Sequence, residues 1–181
     1  MKNLILVLLI LTSISTQAQR YLSKNAFVKF YSYTPLEKIE AVNNTAACVL
    51  DISTGNIEFS ALNTAFQFKK ALMQQHFNEN YMESSKFPKA KFKGKIVDFN
   101  IINLNKEGSY LISVIGEMNM HGVTKGLIIP ATLKVSSTGK ISGESKFNIK
   151  AEDYQIAIPN LVKDNIAKEI EVTIKADLNK L

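Results

Sequence analysis

The sequence predicts an all-β protein, an antiparallel barrel of eight strands with one helix inserted after the third strand. Three observations carry that expectation. Long stretches place apolar residues at every second position, as a strand with one dry and one wet face requires. Turn residues separate these stretches at short intervals, as at Thr54-Gly55, Lys106-Glu-Gly108 and Ser136-Ser-Thr-Gly139. A single stretch, Gln67 to Met82, loses the period of two; its Phe68, Leu72, Gln75-His76 and Glu79 recur near helical spacing, with no glycine or proline between them.

Taken in order, Ala26 to Ser32 reads as a first strand, stopped by Thr34-Pro35. Glu37 to Leu50 is a weaker, more polar second strand, and Asn56 to Phe66 returns from the turn with Ile57, Phe59 and Ala61 on one side. After the helix, Ser84-Ser-Lys-Phe-Pro88 forces extended backbone and launches a strand from Ala90 to about Ile102. Its apolar phase shifts from Phe92-Gly94-Ile96 to Val97-Phe99-Ile101, which predicts a β-bulge near Ile96. Ser109 to His121 alternates cleanly, with Tyr110, Ile112, Val114, Gly116, Met118 and Met120 on one face. Gly122 can supply the positive φ of a tight reversal into Gly126 to Val135. Ile141 to Ile149 and Ile170 to Leu178 complete the set.

One open sheet of that many strands would leave an apolar face that a single helix cannot cover, so the sheet is expected to close. A barrel of eight strands is either filled by its own side chains or holds one slender ligand. Small residues at inward positions, Ala61, Gly94, Gly116, Ala131, Gly143 and Ser145, favour a cavity.

The first residues are of another kind. Lys2, the apolar run Leu4 to Leu11 and the small-x-small site Thr16-Gln-Ala18 predict a signal peptide over residues 1–18, leaving 19–181 as the barrel domain. The run is too short for a stable membrane span, since about 20 apolar residues are needed. Export would place the protein in the periplasm or outside the cell. Cys48 is the only cysteine and cannot close an intramolecular disulfide, so packing must supply the stability. The net charge of +6 includes Lys2; the remainder has 21 basic and 16 acidic residues, or +5. Lysines alternate with acids, as in Lys168-Glu-Ile-Glu-Val-Thr-Ile-Lys175, so a solvated face is expected and a nucleic-acid partner is not.

Catalytic and metal chemistry finds little support. His76 and His121 belong to no metal-ligand spacing, and no nucleophile elbow, phosphate loop or EF-hand loop is present. Asp153, Asp164 and Glu169 read as solvated loop acids. Cys48, set between Ala46-Ala47 and Val49-Leu50, reads as a buried apolar residue. Met118 and Met120 are better explained as adaptable wall than as soft-metal ligands. No cofactor, metal or enzymatic activity is expected.

Two segments together resemble the YceI-like family of exported lipid-binding proteins. One runs from His76-Phe77 through Lys86-Phe87-Pro88 to Phe92, and the other is Met120-His121-Gly122-Val123-Thr124-Lys125. The resemblance extends from about Ala26 to the end, although Asp153-Tyr154 stands where Asp-Phe-Gly is more usual. It implies a lipocalin-like barrel whose lumen takes a long isoprenoid chain in the periplasm, with the motif residues serving as corner and helix-packing determinants rather than an active site.

The expected function is therefore an exported carrier or sequestering protein for a polyisoprenoid, an isoprenoid quinone or a fatty acyl lipid. The first half of the chain supplies Phe30, Ile57 and Phe59 as candidate lining. The central hairpin adds Val114, Met118, Met120, Ile129 and Leu133, and the last two strands add Phe147, Ile149, Val172 and Ile174. Lys125 or Tyr154 is the candidate to meet a head group at the mouth, and His121 and Thr124 are expected to tie their corner by hydrogen bonds. The rival expectation is a side-chain-filled barrel acting as a structural or stress-associated interaction protein. Apolar residues on both faces of some strands, such as Val97-Phe99-Ile101, leave room for a helix, a homodimer partner or a membrane.

Overall fold

The computed structural model describes residues 19–181, so the signal-peptide expectation for residues 1–18 lies outside the described residues. The strands are β1 Arg20–Tyr33, β2 Lys38–Asp51, β3 Asn56–Leu62, β4 Gln67–Phe68, β5 Lys89–Ile96, β6 Gly108–Met120, β7 Val123–Val135, β8 Ile141–Ile149 and β9 Ile170–Lys180. The helix α1 spans Ala71–His76. Every pairing is antiparallel, and the order β1-β9-β8-β7-β6-β5-β3-β2 returns to its start because β1 also pairs β2. The result is the expected eight-stranded barrel, with β4 as a two-residue addition to β2, where Ala41 meets Phe68 and Val42 meets Gln67.

The alternation seen in the sequence is the alternation of the wall. From β6, Val114, Met118 and Met120 are buried, while Leu111, Ser113, Ile115 and Glu117 face out. One end of the barrel is closed by Leu50, Ile96, Val135, Ile141 and Leu178, all buried. The opposite end receives the two long connections, residues 63–88 and 150–169.

Three expectations need correction. The helix predicted over Gln67 to Met82 begins only at Ala71: α1 runs on without a break into a wider, π-type segment at Phe77–Tyr81, and Gln67–Phe68 is the strand β4 instead. Phe68 is drawn into an aromatic cluster with Phe30 and Phe77, and this packing overrides its helix propensity. Asn78 widens the turn by donating from Nδ2 to the Gln74 carbonyl at 3.0 Å, and the Met82 N–H reaches back to the Phe77 carbonyl at 2.8 Å.

The bulge predicted near Ile96 is instead the end of β5. Asp98 adopts a left-handed φ of 51°, and Phe99–Ile101 forms a 3-10 turn. Both phases are apolar because this turn folds back: Ile102 is buried, and the Phe99 side chain packs on Gly55.

The third correction concerns Gly94 and Gly116, which face each other across β5 and β6. They do not open the lumen. The Phe92 ring occupies their place, since a Cβ on Gly94 would lie 2.8 Å from Phe92 Cε1 and one on Gly116 2.7 Å from Phe92 Cζ. Gly143 is different, with nothing within 4 Å of its would-be Cβ.

Gly116→Ala is accordingly expected to destabilise the barrel by about 1–3 kcal/mol through overpacking against Phe92 and the Lys93 carbonyl. Urea denaturation checks this, and Phe92→Leu in the same background should recover part of the loss.

Candidate ligand site in the barrel lumen

The lumen holds a cavity of about 370 Å³ that runs from the long connections to Leu50, Ile96 and Leu178 at the closed end. That size lies within the range of small-molecule sites, roughly 300–1,000 Å³. All twelve residues predicted to line a lumen do border it. Phe30, Ile57 and Phe59 come from β1 and β3, and Val114, Met118, Met120, Ile129 and Leu133 from the central hairpin. Phe147, Ile149, Val172 and Ile174 complete the ring from β8 and β9. Ala61, Ala131, Gly143 and Ser145 also border it, so part of the small-residue expectation holds.

The roof comes from segments that the sequence reading left without a role. Phe66, Phe68 and Phe77 gather around Phe30 with ring centroids 5.1–5.7 Å apart. Opposite them, Ile156, Ile158, Val162 and Ile166 enter from the connection between β8 and β9. That connection is held to the barrel where the Ala167 N–H donates to the buried Ser32 Oγ at 2.8 Å. The period-2 placing of Phe66 with Phe68, and of Ile156 with Ile158, was the available signal.

Polar groups at the cavity are few. Glu37 borders it and carries Lys70 Nζ on Oε1 at 3.1 Å. His76, exposed at the end of α1, also borders it. Neither residue predicted to meet a head group does so from the lumen. Tyr154 is 1% exposed beneath a corner of the barrel, and Lys125 lies outside it, 3.9 Å from Asp153. Burial pushes the Tyr154 hydroxyl above its ordinary range, helped by the negative charge of Asp153. Asp153 thus faces a lysine, and Glu169 accepts from Asn148 Nδ2 at 3.1 Å. Among the described residues, no three His, Cys, Asp or Glu side chains converge as a metal site would need.

Cys48 borders the cavity, and desolvation pushes its thiol up to about 12. The thiolate is the nucleophile, so the side chain is chemically quiet near neutral pH. A disulfide reagent at pH 8 should label Cys48 only after unfolding; rapid labelling of the folded protein would contradict its burial. Because the unfolded thiol releases its proton near 9 and the folded one does not, stability should fall as pH rises from about 9 toward 12.

A family described as the YceI-like domain matches residues 15–178. The chain belongs to the YceI-like family. Similar solved structures include a polyisoprenoid binding domain from Saccharophagus degradans implicated in plant cell wall breakdown. It is 14% identical, with 90% of this chain and 98% of that one covered at a TM-score of 0.76. BcnA of Burkholderia cenocepacia is 14% identical over 85% of this chain and 96% of its own, at a TM-score of 0.68. The Campylobacter jejuni YCEI protein is 13% identical over 76% of this chain and 80% of its own, at 0.51. At such identities the likeness is one of fold. No curated protein matches the sequence.

In this YceI-like chain, the two segments that carry the family resemblance meet at one corner. His121 and Gly122 form the two-residue turn between β6 and β7, with φ of 52° and 77°. His121 Nδ1 lies 3.1 Å from the Tyr154 carbonyl and donates to it, while Nε2 faces Glu83 Oε1 at 3.3 Å. Phe87 packs edge-on against the imidazole at 4.8 Å and against Gly122. Lys86 lies over the Phe87 ring and 3.7 Å from Glu83. Pro88 gives its carbonyl to the Asn63 N–H. Of the remaining motif residues, Phe77 and His76 belong to the roof, and Val123 packs partly buried against the core. Thr124 Oγ1 accepts from Asn119 Nδ2 at 2.8 Å, so both residues expected to tie the corner have partners.

Glu83, itself at a positive φ of 42°, is the corner residue that the sequence reading missed. His121→Ala should cost about 2 kcal/mol, because it leaves the Tyr154 carbonyl and the Phe87 ring without their partner. Glu83→Gln should cost less than about 1 kcal/mol, as that carboxylate is well exposed. Equal losses in urea denaturation would shift the weight of the corner onto the Glu83 contact.

Proposed function

We propose that the protein binds one long apolar molecule in its lumen, an isoprenoid or acyl lipid, and carries or sequesters it outside the cytoplasm. The observation that carries this reading is the cavity of about 370 Å³, bordered by apolar side chains of the closed ladder and roofed by a phenylalanine cluster. Binding to such a surface is driven by the area removed from water, at roughly 25 cal/mol per Å², and needs no charge partner. A filled interaction barrel accounts for the closed end but not for the cavity. The fold shared with a polyisoprenoid binding domain supports the choice of an isoprenoid, and the N-terminal apolar run of the sequence supports export. The family and its neighbours also favour a binding protein over an enzyme.

Native mass spectrometry of protein purified without detergent should find a co-purifying lipid, or uptake of added isoprenoid alcohol or quinone. Val114→Arg and Phe147→Glu each place a charge in the lumen and should abolish uptake. Gly143→Leu gives a gentler test, because its side chain enters open space. It should fold normally while weakening uptake about tenfold, and unchanged uptake by all three variants would remove the lumen as the site.

A further inference from the structure

The outer face of β5, β6 and β7 carries a feature that the lumen does not explain. Leu111, Ile128, Ile115 and Val97 are 87%, 70%, 53% and 38% exposed. The register brings them together: Ile115 lies directly across from Ile128, and exposed Pro130 lies across from Ser113, whose carbonyl accepts the Val97 N–H. The neighbouring strand continues these rows with charge. Lys91, Lys93 and Lys95 point outward at every second position of β5, and Lys95 pairs with Ile115 itself. Lys93 is met by Glu58 at 3.4 Å and lies across from Glu117. Lys91 and Lys95 have Ser60, Asn119, Asn56 and Ile115 as their cross-strand neighbours, so no acid opposes either of them in the ladder.

We propose that this face docks on an anionic lipid bilayer, with Leu111, Ile115 and Ile128 entering the headgroup region while Lys91 and Lys95 meet lipid phosphates. Apolar side chains set among ammonium groups are what an interfacial binding surface needs. At these exposures the patch offers roughly 400 Å² of apolar area, about half of the ~800 Å² a side that a stable dimer buries. It also adjoins a seam in the wall. β7 pairs β8 only through Ala131–Val135, and Pro130 and Ile128 stand on the part of β7 beyond that ladder. Docking this face therefore holds an interruption of the barrel beside the bilayer, and exchange of ligand there rests on the lumen reading, whereas docking itself does not.

The test is flotation of the barrel, Gln19–Leu181, whose strands close on themselves, with phosphatidylcholine vesicles containing or lacking phosphatidylglycerol. Binding should need the anionic lipid and weaken as salt is raised. Ile115→Asp with Ile128→Asp, and separately Lys91→Glu with Lys95→Glu, should each reduce the bound fraction about tenfold or more. All four positions face solvent, so urea midpoints should stay unchanged. Absence of binding to anionic vesicles, or binding by either double variant that equals the unmodified protein's, overturns the proposal. So does a dimer in light scattering that the isoleucine variant dissolves while vesicles go unbound. Val114→Arg separates the two readings: it should lose uptake yet still float with anionic vesicles.

Discussion

The pairing of β1 with β2 is the constraint on which the rest of this structure depends. β1 runs beside β2 from Arg20 opposite Asp51 to Tyr33 opposite Lys38, while its other edge takes β9. Remove that double role and the sheet opens, leaving two unpaired edges and a continuous apolar face in water. With the ring closed, every second side chain must share one interior, and the period of two in the sequence becomes a division between lumen and solvent. The closure joins the two ends of the described chain, since β1 meets β9 across nearly its whole length, and such non-local pairing makes folding slow rather than unstable.

The central hairpin and β8 were legible because their alternation is unbroken and their turns have the right chemistry. Ile141–Ile149 starts and ends where its alternation does, and the reversal at His121-Gly122 uses the positive φ that glycine permits. What failed, failed where tertiary contacts outvote local pattern. Gln67 to Met82 has helical composition, yet Phe68 is worth more against Phe30 and Phe77 in the aromatic cluster than in a helix. Gly94 and Gly116 suggested empty space, and no local pattern could announce that Phe92 of the neighbouring position would lie over both. Tyr154 resembled an amphipathic mouth residue, but its carbonyl serves His121 from beneath the corner. The polar second strand conceals a further device. Asn43, fully buried, donates from Nδ2 to the Leu62 carbonyl and accepts the Thr45 N–H on Oδ1.

That asparagine marks a difference between the two ends of the barrel. At the closed end the ladders run to completion and their side chains meet as a dry plug. Toward the other end, β3 keeps β2 only as far as Ala47, and β8 keeps β7 only as far as Ala131. Asn43 satisfies backbone where the first pair parts, and Ser145 Oγ donates to the Pro130 carbonyl where the second does, at a proline that has no N–H to lose. The two long connections leave from this end, and they bring the phenylalanines and isoleucines that roof the cavity. The floor of the lumen is thus built from ladder hydrogen bonds, whereas the roof rests on aromatic packing and isolated ties such as Ala167 to Ser32. Opening a segment that breaks few backbone hydrogen bonds costs less than opening a ladder. For the ligand proposed above, the least costly passage is therefore the roof and the β7–β8 seam, where backbone hydrogen bonds are fewest.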